Sequence, residues 1–139
     1  MFVTAIFFAV MSSSQIARRY LNIENGEKRF ILAKIFTQIN EKKYVIFKIR
    51  TDEGVLVEIY EKDNQTYFQK LKQKFIFPGD KNAFLMINEN SVMLALSDID
   101  KNGINEIIIP TVDQYGISRL NIFKYDQDLN QFSQSVASE

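Results

Sequence analysis

From Phe30 onward the chain is written as short apolar runs broken repeatedly by turn residues, and this alternation restricts it to β-structure. Val45, Phe47 and Ile49 share one side of an extended segment, and Val55, Val57 and Ile59 share one side of the next. Successive side chains of a strand point to opposite faces, so a period of two marks a sheet. The runs predict strands at 30–39, 44–50, 55–61, 83–87, 92–96, 106–112 and 119–125. Turn signals separate them at Asp52-Glu53-Gly54, Pro78-Gly79-Asp80, Asn102-Gly103 and Tyr115-Gly116. Residues 67–77 fit a helix through Phe68, Leu71 and Phe75, and a strand through Tyr67, Leu71, Phe75 and Phe77. Pro78 directly after Phe75-Ile76-Phe77 favours the strand. Lys70, Lys72 and Lys74 then alternate on one strand face, where lysines discourage edge pairing.

Length, at 139 residues, suits one domain, and the sequence within it reads twice. Residues 45–63 and 107–126 align with Val45 on Ile107, Gly54 on Gly116, Ile59 on Ile122, Tyr60 on Phe123 and Asp63 on Asp126. The offset is 62, rising to 63 after one insertion, and Phe68 and Phe132 close the two units. The expected organisation is a leader at 1–17 and a single β domain at 24–139, with repeats at about 30–77 and 83–136.

Composition removes several classes of function. The chain has no Cys and no His, which excludes thiolate or imidazole zinc sites, thiol nucleophiles and Ser-His-Asp chemistry. Basic and acidic residues number 17 each, so no net field draws in nucleic acid, and no nucleic-acid partner is expected. The run at 2–11 (FVTAIFFAVM) is too short to span a bilayer and is followed by Ser12-Ser13-Ser14. It fits a signal-peptide core cleaved near Ser14 or Ala17. No Lys or Arg precedes it and Arg18-Arg19 follow it, so a buried N-terminal helix stays open as a reading. Membrane association is not expected beyond this segment.

The stretch that carries chemistry is Asp98-Ile-Asp-Lys-Asn-Gly-Ile-Asn-Glu106. Asp98, Asp100 and Asn102 stand at its first, third and fifth positions, Gly103 at the sixth and Glu106 at the ninth. Alternate side chains of a tight loop turn inward, and Ca²⁺ takes six to eight oxygen ligands at about 2.3–2.6 Å. Ile104, at position seven, offers its carbonyl while its side chain enters the core. An EF-hand needs a carboxylate at position twelve, inside a helix, whereas Ile109 there belongs to an apolar strand-like run. The predicted metal ligands are therefore Asp98, Asp100, Asn102, Ile104 and Glu106, with calcium as the ion. The matching segment of the first copy, 39–44, is two residues shorter, carries Lys42 and Lys43, and is expected to bind no metal.

With Leu94-Ala95-Leu96-Ser97 before the loop and a strand after it, residues 92–132 resemble the FG-GAP (VCBS) repeat, the propeller blade of integrin α-subunits and many extracellular bacterial proteins. The family's loop has Asp at the fifth position where this chain has Asn102, and its Phe-Gly and Gly-Ala-Pro signatures are absent. The resemblance implies an all-β fold of two propeller-blade-like antiparallel units, or a small β-sandwich of the same strands, after the hydrophobic leader. Two such units cannot close a ring, which takes at least four blades; copies must assemble, the sheets must cover each other, or the chain is a fragment. The implied function is a secreted or periplasmic, calcium-stabilised binding or scaffold module. It is adhesion-like and non-enzymatic, with a protein or glycan partner and scope for self-association. Two other readings stay open on sequence alone: a hydrolase using Asp98 or Glu106 as acid–base, and a pilin-like assembly subunit packing through residues 2–11.

Overall fold

The computed structural model describes residues 27–66 and 68–135. Among these the chain is all-β, with no helix, and every strand pair is antiparallel. The apolar run at 2–11 and its signal or helix reading lie outside the described residues.

Strands β1 (Phe30–Ile39), β2 (Lys42–Thr51), β3 (Gly54–Lys62) and β4 (Gln69–Pro78) form a four-stranded sheet in chain order. Asn40 and Glu41 link β1 to β2 with φ of 49° and 68°, the left-handed pair that a two-residue hairpin requires. Gly54 opens β3 at φ +148°, with the Phe77 carbonyl lying where a Cβ would stand, so only glycine fits there. An extra residue bulges β4 opposite Ile59 and Tyr60: Lys74 pairs with Glu58, Gln73 with Ile59, and Leu71 with Tyr60. The expected single row of lysines is corrected by this bulge. Skipping Lys72 inverts the alternation, so Lys70 and Lys74 fall on opposite faces.

After β5 (Lys81–Asn82) the chain makes a separate hairpin of β6 (Leu85–Ile87) and β7 (Asn90–Val92). Asn88 and Glu89, at φ 47° and 65°, turn it. The expected strand at 83–87 is shorter, and the expected strand at 92–96 is split, Val92 ending β7 and Ala95–Ser97 forming β8 in the other sheet; a left-handed turn without glycine gives little warning of the hairpin in sequence. Then β8 (Ala95–Ser97), β9 (Glu106–Val112), β10 (Ser118–Asp126) and β11 (Gln131–Gln134) complete the second sheet. Its order is β11-β10-β9, with β5 and β8 both on the far edge of β9, β5 at Thr111–Val112 and β8 at Glu106–Ile108.

Both larger sheets contribute to one core. Ile46, Val57 and Ile59 enter it from the first sheet, and Ile107, Ile109 and Phe123 from the second. Burying each such side chain is worth about 1.5–3 kcal/mol, so this contact dominates the stability of the sheet pair. Phe75 lies over Phe123 with ring centroids 4.1 Å apart, and Phe132 meets Tyr44 edge-on at 5.8 Å. Phe132 is buried, whereas Phe68 is 80% exposed and precedes β4. The two are not equivalent closers of their units: Tyr60 pairs with Leu71 and Phe123 with Gln134, which sets Gln69 opposite the role of Phe132.

Candidate metal centre

The loop is held between the ends of β8 and β9. Ser97 pairs with Glu106, which leaves the eight residues 98–105 to turn between them. The corresponding pair in the first sheet is Thr37 with Tyr44, which encloses only six, ending in the tight Asn40-Glu41 turn. That hairpin has no room to wrap an ion.

Local hydrogen bonds fold the longer loop. The Asp98 carboxylate accepts the Asn102 N–H at 3.0 Å and the Gly103 N–H at 2.8 Å. Asp100 accepts the same Asn102 N–H at 3.2 Å, and the Asn102 side-chain oxygen accepts the Ile104 N–H at 2.8 Å. Lys101 and Gly103 take left-handed φ of 57° and 88°, giving the sharp turn. These bonds close the loop with or without a cation.

Glu106 is the residue that turn chemistry does not require. It is 2% exposed, and its Oε2 accepts the Ile99 N–H at 2.6 Å across the loop. Asp98, Asp100 and Glu106 bring carboxylate oxygens within 4.8 Å of one another. Two oxygens sharing one Ca²⁺ at about 2.4 Å can be at most about 4.8 Å apart, so the separation suits a shared ion. The donor set is all hard oxygen, which suits Ca²⁺ rather than softer metals. Ile104 packs its half-buried side chain against the core, as position seven of such a loop requires.

One participant was not legible in the motif. Lys124, on β10, places its ammonium 3.2 Å from Asp100 Oδ2. Burial acts to raise the Asp100 pKa, but the bonds from Lys124 and the Asn102 N–H outweigh it and hold this carboxyl below its usual range. A single ammonium thus faces three carboxylates, and an excess of negative charge remains at the loop. The signal that could have found Lys124 is the pairing of Phe123 with Ile107, which brings the next residue of β10 level with Glu106.

Comparison with protein-family models, with curated proteins and with solved structures finds no match to this chain.

Proposed function

We propose that this chain is a calcium-stabilised, non-enzymatic binding or scaffold module that acts outside the cytoplasm. The observation that carries this reading is the convergence of Asp98, Asp100 and Glu106 within 4.8 Å, one of them buried. Carboxylates so close repel one another unless a cation sits among them. A hydrolase would need its carboxyls in separate electrostatic environments across a cleft, whereas these crowd one short loop. An ion there fixes the β8–β9 connection, and its free energy of binding adds to folding by mass action. With an amide at Asn102 and an ammonium at Lys124, affinity belongs with extracellular modules, for which dissociation constants run at about 10⁻⁴–10⁻³ M. That range fits a compartment where calcium is plentiful.

The finer reading of the fold is two blade-like units of the FG-GAP kind. Its support is register: the sequence alignment sets Val45 with Ile107 and Tyr60 with Phe123, and Val45 stands opposite Tyr60 as Ile107 stands opposite Phe123. A cross-strand pair thus maps onto a cross-strand pair. Such a module presents its surface to a protein or glycan.

Calorimetric titration and melting curves test the site. One calcium binds, and at a hundredfold excess over the dissociation constant the gain is about 2.7 kcal/mol. Asp100→Ala removes the gain and Asn40→Ala keeps it. Lys124→Met strengthens binding by removing the competing ammonium. A melting curve identical in calcium and in chelator sinks the proposal.

A further inference from the structure

Asn-Gly occurs twice in the chain, at 25–26 and at 102–103. The dipeptide has a reaction of its own: the glycine nitrogen can attack the asparagine side-chain carbon, since glycine has no side chain to stand in the way. The two groups sit on neighbouring residues of one chain, so orientation decides the rate. Asn25 lies outside the described residues. Asn102 and Gly103 are exposed, and nothing lies within 4 Å of the place where a Cβ on Gly103 would stand, so water reaches the pair. Every other described asparagine is followed by a residue that carries a side chain.

The loop holds each of the reacting atoms. The Gly103 N–H donates to Asp98 Oδ2 at 2.8 Å, and a carboxylate drawing on that proton leaves more electron density on the attacking nitrogen. Asn102 Oδ1 takes up negative charge once its carbon is attacked. It accepts the Ile104 N–H at 2.8 Å, the distance at which a backbone donor stabilises an oxyanion. Asn102 Nδ2, the leaving nitrogen, donates to Asp100 Oδ2 at 3.3 Å, and the Lys124 ammonium donates to that same oxygen at 3.2 Å. Nucleophile, electrophile and leaving group are thus each held by a different partner.

We propose that the ion-free loop converts its own Asn102 to aspartate and isoaspartate through a cyclic imide with Gly103. The Gly103 nitrogen loses its proton to hydroxide and forms a bond to Asn102 Cγ. The Cγ–Nδ2 bond breaks, and ammonia leaves with a proton from water, which restores the hydroxide. Water then opens the imide at either carbonyl. Attack at Cγ leaves aspartate in a normal main chain. Attack at the main-chain carbonyl leaves isoaspartate, with the chain rerouted through the side chain and lengthened by a carbon. Nothing is oxidised or reduced, and water is the only co-reactant. The link to calcium rests on the metal site proposed above. An ion that takes oxygens from Asp98, Asp100 and Asn102 draws all three away from these contacts, so occupancy protects Asn102. Aspartate adds a carboxylate to the loop, whereas isoaspartate displaces Ile104 and Glu106 from register.

The full chain is incubated at pH 8 in chelator beside a synthetic peptide of residues 98–106, which reports the rate set by sequence alone. Peptic digestion in acid and mass spectrometry then separate amide, aspartate and isoaspartate. Asn102 is expected to react several-fold faster in the folded chain than in the peptide. Asp98→Asn, verified as folded by circular dichroism, is expected to bring the rate down to that of the peptide. An Asn102 that reacts no faster folded than in the peptide, or a rate that Asp98→Asn leaves unchanged, overturns the proposal. Calcium in place of chelator is expected to suppress the reaction at Asn102 and leave that at Asn25 unchanged. Reaction at Asn102 that is fast in chelator and equally fast in calcium overturns the metal reading alone.

Discussion

Replacing Lys48 by Met tests how the two sheets are joined. The Lys48 ammonium is fully buried and donates to the carbonyl oxygens of Pro110, Met93 and Ala83 at 2.6, 2.8 and 3.1 Å. It thereby ties β2 to β9 and to both ends of the β6–β7 hairpin, with no carboxylate partner among the described residues. Burial lowers its pKa from 10.5 to about 8. Below pH 8 the group is protonated folded and unfolded alike, and the cost of burying the charge is fully present. Between pH 8 and 10.5 the unfolded chain holds the proton and the folded chain releases it, so stability rises with pH. The whole shift corresponds to about 3 kcal/mol, of which about 2 kcal/mol develops between pH 8 and 10. The chain has no His and no Cys to obscure this window. Burial raises the pKa of Tyr44 and of Tyr60, so above about pH 10 the tyrosines reverse the trend. Urea unfolding followed by circular dichroism from pH 7 to 10 should show wild-type stability climbing relative to Lys48→Met. The difference in slope excludes the cost of leaving three carbonyls without a donor, which does not change with pH. Parallel pH profiles would refute the burial argument, and a falling wild-type profile would mean that the three carbonyl dipoles outweigh burial.

Gly54→Ala drives a Cβ into the Phe77 carbonyl at a φ of +148°, and should cost at least about 3 kcal/mol in urea unfolding. Gly116→Ala, at φ +81° in open space, should cost only about 1–2 kcal/mol; equal losses would contradict the contact account. Asp113 accepts the Ile117 and Tyr115 N–H groups and the Arg119 guanidinium, and these bonds hold its carboxyl below the usual range against the opposing effect of burial. Its contribution is present above the ordinary carboxylate pKa and lost as pH falls through the depressed value, so Asp113→Asn should flatten the acid limb of a melting-temperature profile between pH 6 and 2.

Strand content was readable because alternation is a property of neighbours in sequence. The limits of β1 and β9 coincide with the apolar runs 30–39 and 106–112. The carboxylate cluster was readable for the same reason: Asp98, Asp100 and Glu106 lie within nine positions, and their oxygens come within 4.8 Å of one another. Which side of β2 meets the other sheet was not readable. Val45, Phe47 and Ile49 form the regular apolar set, yet Tyr44, Ile46 and Lys48 face the shared core, and Val45 and Ile49 are buried too. A strand covered on both faces carries no amphipathic mark to orient it.

Lys48 and Lys124 show where local reading ends. A lysine inside an apolar alternation reads as an outward residue, since a buried ammonium is costly unless oxygens surround it. The oxygens that surround Lys48 come from residues 35, 45 and 62 positions away, and Lys124 meets Asp100 across 24. Pro110 makes the first case instructive. In the sequence alignment it stands at the position of Lys48 itself, and proline has no N–H with which to donate to the ladder. Two aligned positions thus hold a donor and an acceptor that bond to each other across the sheets. The two face opposite ways, because Lys48 points from the core face of its sheet toward the β9 backbone, while the Pro110 ring lies on the face turned away from the core. A mirrored pair of sheets would set the Pro110 ring against the ammonium instead, and the alternation that places both residues is the one that first marked the chain as β.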